Sequence, residues 1–502
     1  MQPRTLAPWN PGTLEPSYVA IDLGASGGRV IRGRFTRDAV QLDEVHRFPN
    51  QPRQCGGHER WDFSALVDQI KQGLALLPDR GEGTVSVGVD TWGVDYGLLD
   101  AAGRLIDDPV CYRDPRTDGI VLRVLDIFPR ADLFRATGIQ VQPFNTIYQL
   151  AAQRWAGEWP ATAERLLMMP DLFHHALCGS TSGEVTMAST TQLVTAVGRE
   201  WAAEVFAALD LPLATMPPLV SPGTTLGTLT RALQAEFGLP ALKIVAPATH
   251  DTASAVAGAP LEVGWAYLSS GTWSLLGVET PAPLLTGAAA ARNLTNEAGV
   301  EGTNRLLQNI MGLWILESCR RILARQGKGS DYDALMYDVE RAPAFRGIID
   351  PDNPRFFHPL DMTMEVRAFL AETGQPDPGD AAALTRIVLE SLALRYAAAI
   401  QGIETVTGAP VRGLRIIGGG SRNAFLNQAT ANATGLTVLA GPVEATALGN
   451  LVVQAIADGR FADVAEARKF VARSVPEERF TPRDDEAWES ARVRFATLTA
   501  RP

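Results

Sequence analysis

The stretch YVAIDLGASGGRVIRG, residues 18–33, predicts two short β-strands joined by a glycine-rich turn. A plain hairpin turn needs only one or two glycines, whereas this turn contains Gly24, Gly27 and Gly28 together with Ser26 and Arg29. Backbone amides and a guanidinium suit phosphate oxygens, so the turn is a candidate phosphate site. It lacks the GxxxxGK[ST] pattern, and no helix follows at once as a dinucleotide fingerprint requires. A phosphate-binding turn and a plain hairpin both remain open.

The same design recurs in the second half of the chain. Residues 265–278, WAYLSSGTWSLLGV, again have the pattern of a strand, a small polar turn and a strand. Two copies of one hairpin predict two similar α/β lobes that arose by duplication, with a ligand between them. The length of 502 residues likewise indicates more than one domain.

Composition narrows the classes of function. The net charge of -11 argues against general binding to nucleic acid or to an anionic membrane. No stretch approaches the roughly 20 apolar residues of a membrane span. The four cysteines lie far apart without a CxxC pair, so we expect reduced thiols in the cytoplasm rather than a zinc site or disulfides. Residues 1–16 contain four prolines and are expected to form a disordered arm.

The most informative polar cluster lies near the middle of the chain, in VAPATHDTASAV (245–256). The pattern predicts a strand, a turn and a helix start, with Asp251 in or just before the first helical turn. Free backbone N–H groups and the helix dipole stabilise a carboxylate there. An ordinary N-cap is the alternative. Because His250 and Thr252 flank Asp251, three polar side chains converge where a cap needs one, and Asp251 is a candidate general base.

Two further segments combine strand ends with functional residue types. In GVDTWGVDYGLLD (88–100), Asp90, Trp92 and Asp95 could bind a polyol, or the segment could be a β-bulge with a structural tryptophan. Residues 414–417 predict a strand that enters three glycines and a helix over 424–434, with Gly435 as C-cap. That arrangement lets a ligand lie against bare backbone at a helix N-terminus.

Helices are also predicted over residues 61–77, 308–324, 381–406 and 444–458, and at the polar C-terminal end after about residue 480. Residues 120–210 are predicted to be mainly helical. Residues 350–380 are rich in Pro, Asp and Gly and are predicted to form loops.

Taken together, these segments resemble the FGGY family of carbohydrate kinases. The matching stretches run in order from about residue 18 to about residue 480: IDLGASGGRV (21–30), GVDTWGVDYGLLD (88–100), THDTASAV (249–256), YLSSGTWSLLGVE (267–279), NLTNEAG (293–299), NIMGLWIL (309–316), IIGGGSRNAFLNQ (416–428) and GPVEATALGN (441–450). The resemblance implies an α/β protein with two RNase-H-like, actin-like ATPase domains and an active-site cleft between them. It implies an N-terminal domain over residues 17–256 and a C-terminal domain over residues 257–485.

The resemblance also implies an activity and a set of site residues. The activity would be transfer of the γ-phosphoryl group of ATP, with Mg²⁺, to O1 of L-rhamnulose, and Asp251 would be the base. The matching sugar positions are Gly93, His250, Asp251, Thr252 and Asn309. The matching nucleotide positions are Ala25, Ser26, Gly27, Gly28, Arg29, Thr272, Glu317, Gly419 and Asn423. Asp22 matches an aspartate that usually holds the metal through water; no direct metal ligand is assigned.

The chain departs from the family pattern at two nucleotide positions. Gly27 stands where serine is usual, and Glu317 stands where glutamine is usual. The turn at Gly27 keeps its amides, so we expect a small effect there, whereas the nucleotide contact at Glu317 stays open. Two other functions are retained as alternatives. One is a related kinase acting on L-fuculose, D-xylulose or a similar polyol, and the other is a catalytically idle actin-like nucleotide-binding protein.

Overall fold

A computed structural model describes residues 15–327, 331–483 and 486–500. The predicted arm therefore lies outside the described residues except for Glu15 and Pro16, which have no regular secondary structure. The strands are β1 (Ser17–Gly24), β2 (Gly27–Phe35), β3 (Val40–Pro49), β4 (Arg53–Cys55), β5 (His58–Arg60), β6 (Thr84–Thr91), β7 (Tyr96–Leu99), β8 (Arg165–Met168), β9 (Gly183–Glu184), β10 (Leu219–Val220), β11 (Thr225–Thr228), β12 (Lys243–Val245), β13 (Trp265–Ser270), β14 (Trp273–Thr280), β15 (Thr295–Ala298), β16 (Asn304–Met311), β17 (Gly413–Ile417), β18 (Val438–Ala440) and β19 (Glu478–Phe480).

The α-helices alternate with these strands along most of the chain. They are α1 (Phe63–Ala75), α2 (Ile120–Ile127), α3 (Arg130–Thr137), α4 (Thr146–Trp155), α5 (Met169–Cys178), α6 (Val185–Ala188), α7 (Ala203–Leu209), α8 (Arg231–Phe237), α9 (Asp251–Gly258), α10 (Gly287–Ala291), α11 (Trp314–Arg325), α12 (Tyr332–Arg341), α13 (Met362–Glu372), α14 (Ala381–Thr407), α15 (Ala424–Thr434), α16 (Ala445–Ala457), α17 (Val464–Ser474) and α18 (Glu486–Thr499).

The chain forms two compact units. The first contains the residues up to Pro260, Glu279–Leu306 and Ala445–Val475, and the second contains Leu261–Val278, Leu307–Glu444 and the residues from Pro476 onward. Helices α16 and α17 therefore fold with the N-terminal part of the chain, although they lie far along the sequence. The boundary between residues 256 and 257 treats each domain as one continuous segment, and it remains a prediction.

The first unit is built around a six-stranded sheet in the order β11-β12-β6-β1-β2-β3. Strands β1 and β2 form the predicted hairpin, with Gly24 opposite Gly27 across the turn. Strand β6 runs parallel to β1 and places Asp90 beside Asp22. Strand β12 runs parallel to β6, so the carboxyl ends of three adjacent parallel strands lie at one edge. Ligand-binding residues in such sheets gather at that edge.

The second unit repeats this plan. Its main strands follow the order β16-β14-β13-β17-β18-β19. Strands β13 and β14 form an antiparallel hairpin, and β17 and β18 continue parallel to β13. From β16 to β18, this order matches that of β3-β2-β1-β6-β12 in the first unit. The predicted fold class, two similar α/β units with a repeated hairpin, is confirmed.

Two predictions of secondary structure were wrong. Residues 308–311 belong to strand β16, and helix α11 begins only at Trp314. A Cβ on the intervening Gly312 would lie 2.7 Å from the carbonyl carbon of Trp273, so the chain passes close to another strand there. Within the predicted loop 350–380, α13 spans Met362–Glu372. The Pro, Asp and Gly residues around it obscured a helical repeat of buried apolar residues.

Helix α16 holds the start of α9 in place within the first unit. A Cβ on Gly449 of α16 would lie 1.7 Å from the carbonyl oxygen of Ser254 in α9, so the two backbones are in direct contact. Asn450 donates to the carbonyl oxygen of Gly88 at 3.2 Å and to Asp90 Oδ2 at 2.6 Å. Gln454 donates to the carbonyl oxygen of Val19 at 2.9 Å. One helix therefore fixes both α9 and the central strands.

In the part of the chain that the structure describes, none of the helices combines the length and the apolar character that crossing a membrane requires.

We predict that Gly449→Ala destabilises the first unit. The new methyl group would overlap the backbone of Ser254, and overpacking of this kind costs about 1–3 kcal/mol or more. Urea denaturation of purified protein measures the loss. Gly287→Ala is the matched control, because a Cβ there meets nothing within 4 Å. Equal stability of the Gly449→Ala variant and the wild type would contradict the close contact between α9 and α16.

Candidate active site

The central stretch forms the predicted strand, turn and helix start. Strand β12 ends at Val245, and α9 begins at Asp251, which lies in its first turn. His250 occupies the N-cap position, and its side chain makes no capping hydrogen bond. Asp251 is therefore not the N-cap of α9, and the ordinary capping role considered from the sequence does not apply. The N–H of Thr91 at the end of β6 donates to the carbonyl oxygen of Thr249 at 2.9 Å, which ties this segment to the central sheet.

A buried carboxylate that the sequence analysis missed holds the same segment. Glu184 is 1% exposed, and its Oε2 accepts from the Thr249 backbone N–H at 3.0 Å and from the Thr249 hydroxyl at 2.8 Å. Its Oε1 accepts from the Thr186 N–H at 2.8 Å. Burial raises the pKa of Glu184, and the hydrogen bonds from Thr186 and Thr249 oppose that shift. Glu184 thus fixes the backbone immediately before His250 and Asp251.

The Asp251 carboxylate is accessible and poised to accept a proton. Its side chain is 32% exposed. One oxygen, Oδ1, accepts from the Thr252 N–H at 2.5 Å and from the Thr252 hydroxyl at 3.2 Å, and it lies 3.4 Å from His250 Nε2. Desolvation raises the pKa of Asp251, while His250 and the Thr252 hydrogen bonds oppose this. A carboxylate with a raised pKa in a partly open position suits general base catalysis.

The predicted sugar positions of the first unit are brought together. A Cβ on Gly93 would lie 3.5 Å from His250 Nε2 and 3.5 Å from the Thr190 hydroxyl, so the Gly93 backbone faces the imidazole. His250, Asp251 and Thr252 are consecutive at the start of α9. Asn309, the fifth sugar position, lies on β16 in the second unit.

The histidine also contacts two buried charged residues that the sequence analysis missed. Arg305 Nη2 lies 3.2 Å from His250 Nδ1 and 3.0 Å from Glu297 Oε2. Both residues occur in mixed polar and apolar stretches of the sequence, LTNEAGV and NRLLQNI. No local pattern there marks either residue as buried, because a charged residue is buried only when it is paired and the partner of Arg305, His250, lies far away in the sequence.

Of the two interpretations of residues 88–100, the structure favours the structural tryptophan. Asp95 is fully buried, and its Oδ2 accepts from the indole N–H groups of Trp61 at 2.7 Å and Trp92 at 2.9 Å. The Tyr112 backbone N–H donates to the same oxygen at 3.2 Å. Trp92 is itself buried, at 5% exposure. Asp95 therefore organises the loop that carries Gly93.

The glycine-rich turn of the first unit has little room for side chains. Ala25 and Ser26 form the turn between β1 and β2, and the Asn50 side chain donates to the Gly24 carbonyl oxygen at 2.9 Å. A Cβ on Gly27 would lie 3.1 Å from the Phe48 carbonyl oxygen. The serine that is usual in the family would thus be tight at this position. A Cβ on Gly28 would overlap the Phe48 ring at 2.4 Å.

Arg29, the last nucleotide position of this turn, forms an ion pair with Asp22. The distance between Arg29 Nη2 and Asp22 Oδ2 is 2.5 Å, and the arginine side chain is 20% exposed. The predicted phosphate ligand and the predicted metal-site residue are therefore neighbours in the structure.

The nucleotide positions of the second unit are linked by a chain of contacts. Asn423 caps α15 by accepting from the Leu426 N–H at 2.8 Å, and its amide donates to the Tyr332 hydroxyl at 3.0 Å. The Arg320 guanidinium lies over the Tyr332 ring, 4.9 Å from its centroid, and forms an ion pair with Glu317 at 3.0 Å. The sequence analysis did not foresee this pair with Arg320.

The other two nucleotide positions of this unit lie at strand ends. Thr272 lies in the β13–β14 turn, where its carbonyl oxygen accepts from the Trp314 N–H at 3.2 Å. Gly419 follows β17 and the left-handed Gly418, which has φ of 82°.

Comparison with known proteins identifies the family. The model of the FGGY family of carbohydrate kinases, N-terminal domain, matches residues 17–258, and that of the C-terminal domain matches residues 266–457. The chain belongs to the FGGY family of carbohydrate kinases. It is accordingly a phosphotransferase, and ATP binding is expected for the family.

Individual FGGY relatives match over nearly the whole chain. The chain is 43% identical to a rhamnulokinase from Bacteroides thetaiotaomicron, over 96% of this chain and 99% of the relative. It is 41% identical to a rhamnulokinase from Enterococcus faecalis (92% and 93% covered) and 40% identical to one from Bacillus subtilis (93% and 96% covered).

Solved structures of sugar kinases share the fold. A xylulose kinase from Rhodospirillum rubrum superposes with a TM-score of 0.76 at 19% identity, over 96% of this chain and 98% of that one. A gluconate kinase from Lactobacillus acidophilus superposes with a TM-score of 0.75 at 14% identity, over 97% of each chain.

We predict that Asp95→Asn changes how stability depends on pH. Burial raises the pKa of Asp95 to about 6, against the opposing hydrogen bonds from Trp92 and Trp61. This folded-state pKa lies above the unfolded value of about 3.9, so the folded protein favours the protonated form of Asp95. The stability that Asp95 contributes is therefore complete below about pH 4 and is lost as the pH rises through about 6. Two pKa units correspond to about 3 kcal/mol. Asparagine keeps an acceptor for the indoles but does not ionise.

Urea denaturation at about pH 4.5 and about pH 7.5 provides the test. The wild type should lose about 2 kcal/mol of unfolding free energy relative to Asp95→Asn over this interval, because part of the total is already lost at about pH 4.5. Parallel pH profiles of the two proteins would contradict a raised pKa for Asp95.

Proposed function

We propose that this FGGY kinase transfers the γ-phosphoryl group of ATP to O1 of L-rhamnulose. The observation that carries the proposal is the match to rhamnulokinases over almost the full length of both chains. The first unit adds a partly exposed carboxylate, Asp251, beside a histidine and a glycine backbone at the carboxyl edge of its sheet. A protein catalyses phosphoryl transfer chiefly by positioning the reactants and stabilising the charge of the transition state.

Asp251 is the proposed general base. It accepts the proton of the O1 hydroxyl as that oxygen attacks the γ-phosphorus. The hydrogen bonds from Thr252 hold the carboxylate in one orientation, and the Glu184 contacts fix the backbone before it. The raised pKa of Asp251 strengthens its carboxylate as a proton acceptor.

The sugar hydroxyls are assigned to the residues beside the base. His250 and Thr252 offer side-chain groups, and Gly93 offers backbone without a side chain in the way. Asn309 of the second unit supplies an amide. These groups differ in donor and acceptor character, so they can distinguish the orientation of each hydroxyl.

ATP binding is assigned to the turns of the two hairpins and to the loop after β17. In the first unit, the amides of residues 25–28 and the Arg29 guanidinium suit phosphate oxygens. In the second unit, the assigned positions are Thr272, Glu317, Gly419 and Asn423. The Glu317–Arg320 pair leaves less unbalanced negative charge near the nucleotide than a lone carboxylate would.

Mg²⁺ is proposed as the companion of ATP. Among the described residues, no group of three or more His, Cys, Asp or Glu side chains is placed to hold a metal ion. Asp22 nonetheless fits a hydrated magnesium ion, because Mg²⁺ keeps several waters and takes one or two carboxylates with substrate phosphates. Asp22 lies at the carboxyl end of β1 beside the phosphate turn. When bound, Mg²⁺ neutralises charge on the phosphates.

We predict that Asp251→Asn abolishes most turnover while ATP and sugar still bind. The change is nearly isosteric and removes the proton acceptor, which is worth about 10²–10⁴ in rate. Steady-state kinetics with isothermal titration of each ligand separate the two effects. Asp62→Asn is the control, since Asp62 is a true N-cap that accepts from the Ala65 N–H at 3.1 Å, and it should retain activity. Near wild-type turnover of the Asp251→Asn variant would exclude Asp251 as the base.

We predict that L-rhamnulose has the highest kcat/KM among L-rhamnulose, L-fuculose, L-fructose, D-xylulose and glycerol. Inverting one hydroxyl leaves a buried polar group unpaired, at about 1–3 kcal/mol. Each inverted centre should thus lower kcat/KM roughly 5- to 150-fold. A coupled assay of ADP release, run with and without each sugar, gives these values. Higher kcat/KM for D-xylulose or glycerol would contradict the substrate, and ADP release independent of any sugar would contradict the kinase function itself.

A further inference from the structure

A buried arginine lies behind the histidine that precedes the proposed base. Arg305 is 0% exposed, so it cannot touch a sugar. Its Nε donates to the Ala298 carbonyl oxygen at 3.1 Å, and its Nη2 lies between two acceptors, Glu297 Oε2 at 3.0 Å and His250 Nδ1 at 3.2 Å. The guanidinium is therefore held on one side by strand β15 and reaches the imidazole on the other.

The direction of this hydrogen bond follows from the chemistry of arginine. A guanidinium has donors and no acceptor, and it stays charged in proteins. His250 Nδ1 can accept from Arg305 only if that nitrogen carries a lone pair. In a neutral imidazole the proton then lies on the other nitrogen, Nε2. Nε2 is the atom that faces Asp251 Oδ1, at 3.4 Å, and the Gly93 backbone.

Glu297 could favour the opposite arrangement. Its Oε2 lies 3.4 Å from His250 Nδ1, and a carboxylate would accept a proton carried there. The arginine lies closer to both partners, with 3.2 Å to Nδ1 and 3.0 Å to the carboxylate. The hydrogen bond of Nδ1 is with Arg305, whereas Glu297 Oε2 is held by its charge in an ion pair with Arg305. Because arginine can only donate, Nδ1 faces a donor.

We infer that Arg305 is a positioning residue that holds His250 in the tautomer with its proton on Nε2. The imidazole then presents an N–H donor on the side of Asp251 and Gly93. The role of Arg305 is indirect, since it acts through His250. Glu297 balances the buried charge of Arg305 and keeps its guanidinium in place. The part of this inference that concerns sugar turnover rests on the proposed function, whereas the tautomer does not.

The tautomer is measured directly by long-range proton–nitrogen correlation spectra of protein labelled at its histidines. The His250 signals are assigned by their loss in His250→Asn. Wild-type protein should show His250 with its proton on Nε2. A proton on Nδ1, or on both nitrogens, in the wild type would overturn the inference.

The variant that tests the cause is the double substitution Arg305→Met with Glu297→Gln. Removing Arg305 alone would take from the buried carboxylate the arginine it pairs with, and such single removals are strongly destabilising. The glutamine introduced by Glu297→Gln offers an amide oxygen to Nδ1 without a charge, so the proton should move to Nδ1. A proton that stays on Nε2 in the folded double variant would show that Arg305 does not set the tautomer.

Kinetics of the same variants give a second readout. The double variant should lose on the order of 10²-fold in kcat/KM for its best sugar, as expected for a misoriented contact group, with an unchanged KM for ATP. Arg415→Gln is the matched control, because Arg415 is a buried arginine of the second unit paired with Glu477 at 2.8 Å. It should leave the His250 tautomer and sugar kcat/KM unchanged. Equal losses of sugar kcat/KM in the Arg415→Gln control and the double variant would show that Arg305 has only a structural role.

The two arms separate this inference from the proposed function. If another sugar proves to be the substrate, the measured tautomer of His250 still tests the inference, because that measurement does not depend on the sugar. If the tautomer is as inferred but no sugar is phosphorylated, the kinase function fails and the positioning by Arg305 survives.

Discussion

The active-site segment of this chain depends on one buried carboxylate. Glu184 accepts both the backbone N–H and the hydroxyl of Thr249 through a single oxygen, two residues before the proposed base. A buried carboxylate is expensive unless several donors surround it, and the donors of Thr186 and Thr249 meet that need. The backbone that enters α9 consequently has little freedom, and Asp251 is held at a fixed place with a partly exposed side chain.

The same principle operates around the other buried acids of the first unit. Asp95 is surrounded by two indole N–H groups, and Asp90 accepts from Asn450 of α16. Each buried carboxylate connects segments that are far apart in sequence, so the loops that follow β6 and β12 are held as one framework. Positioning by rigid support of this kind is what phosphoryl transfer requires of a protein.

The sequence predicted the parts of the fold that local chemistry determines. The two hairpins, the helix after residues 418–420 and the start of α9 follow from glycines, alternation and capping, which act over a few residues. Glu184 and Arg305 were missed because their partners lie 65 and 55 residues away in the chain. Strand β16 was mistaken for helix because the apolar pattern around Ile310 fits both periods, and its pairing with β14 is a long-range contact that local pattern does not reveal.

Family membership supplied what residue patterns alone left open. A glycine-rich hairpin suits any phosphate, and a helix-start aspartate suits many reactions. Membership of the FGGY family is the basis on which both are proposed to serve one reaction. The most direct test of the whole account is the phosphorus NMR spectrum of the product formed from ATP and L-rhamnulose. We predict one new phosphomonoester signal, coupled to the two protons on C1 and formed in equal amount to ADP. A phosphate ester on another oxygen, or ADP formed together with inorganic phosphate alone, would contradict it.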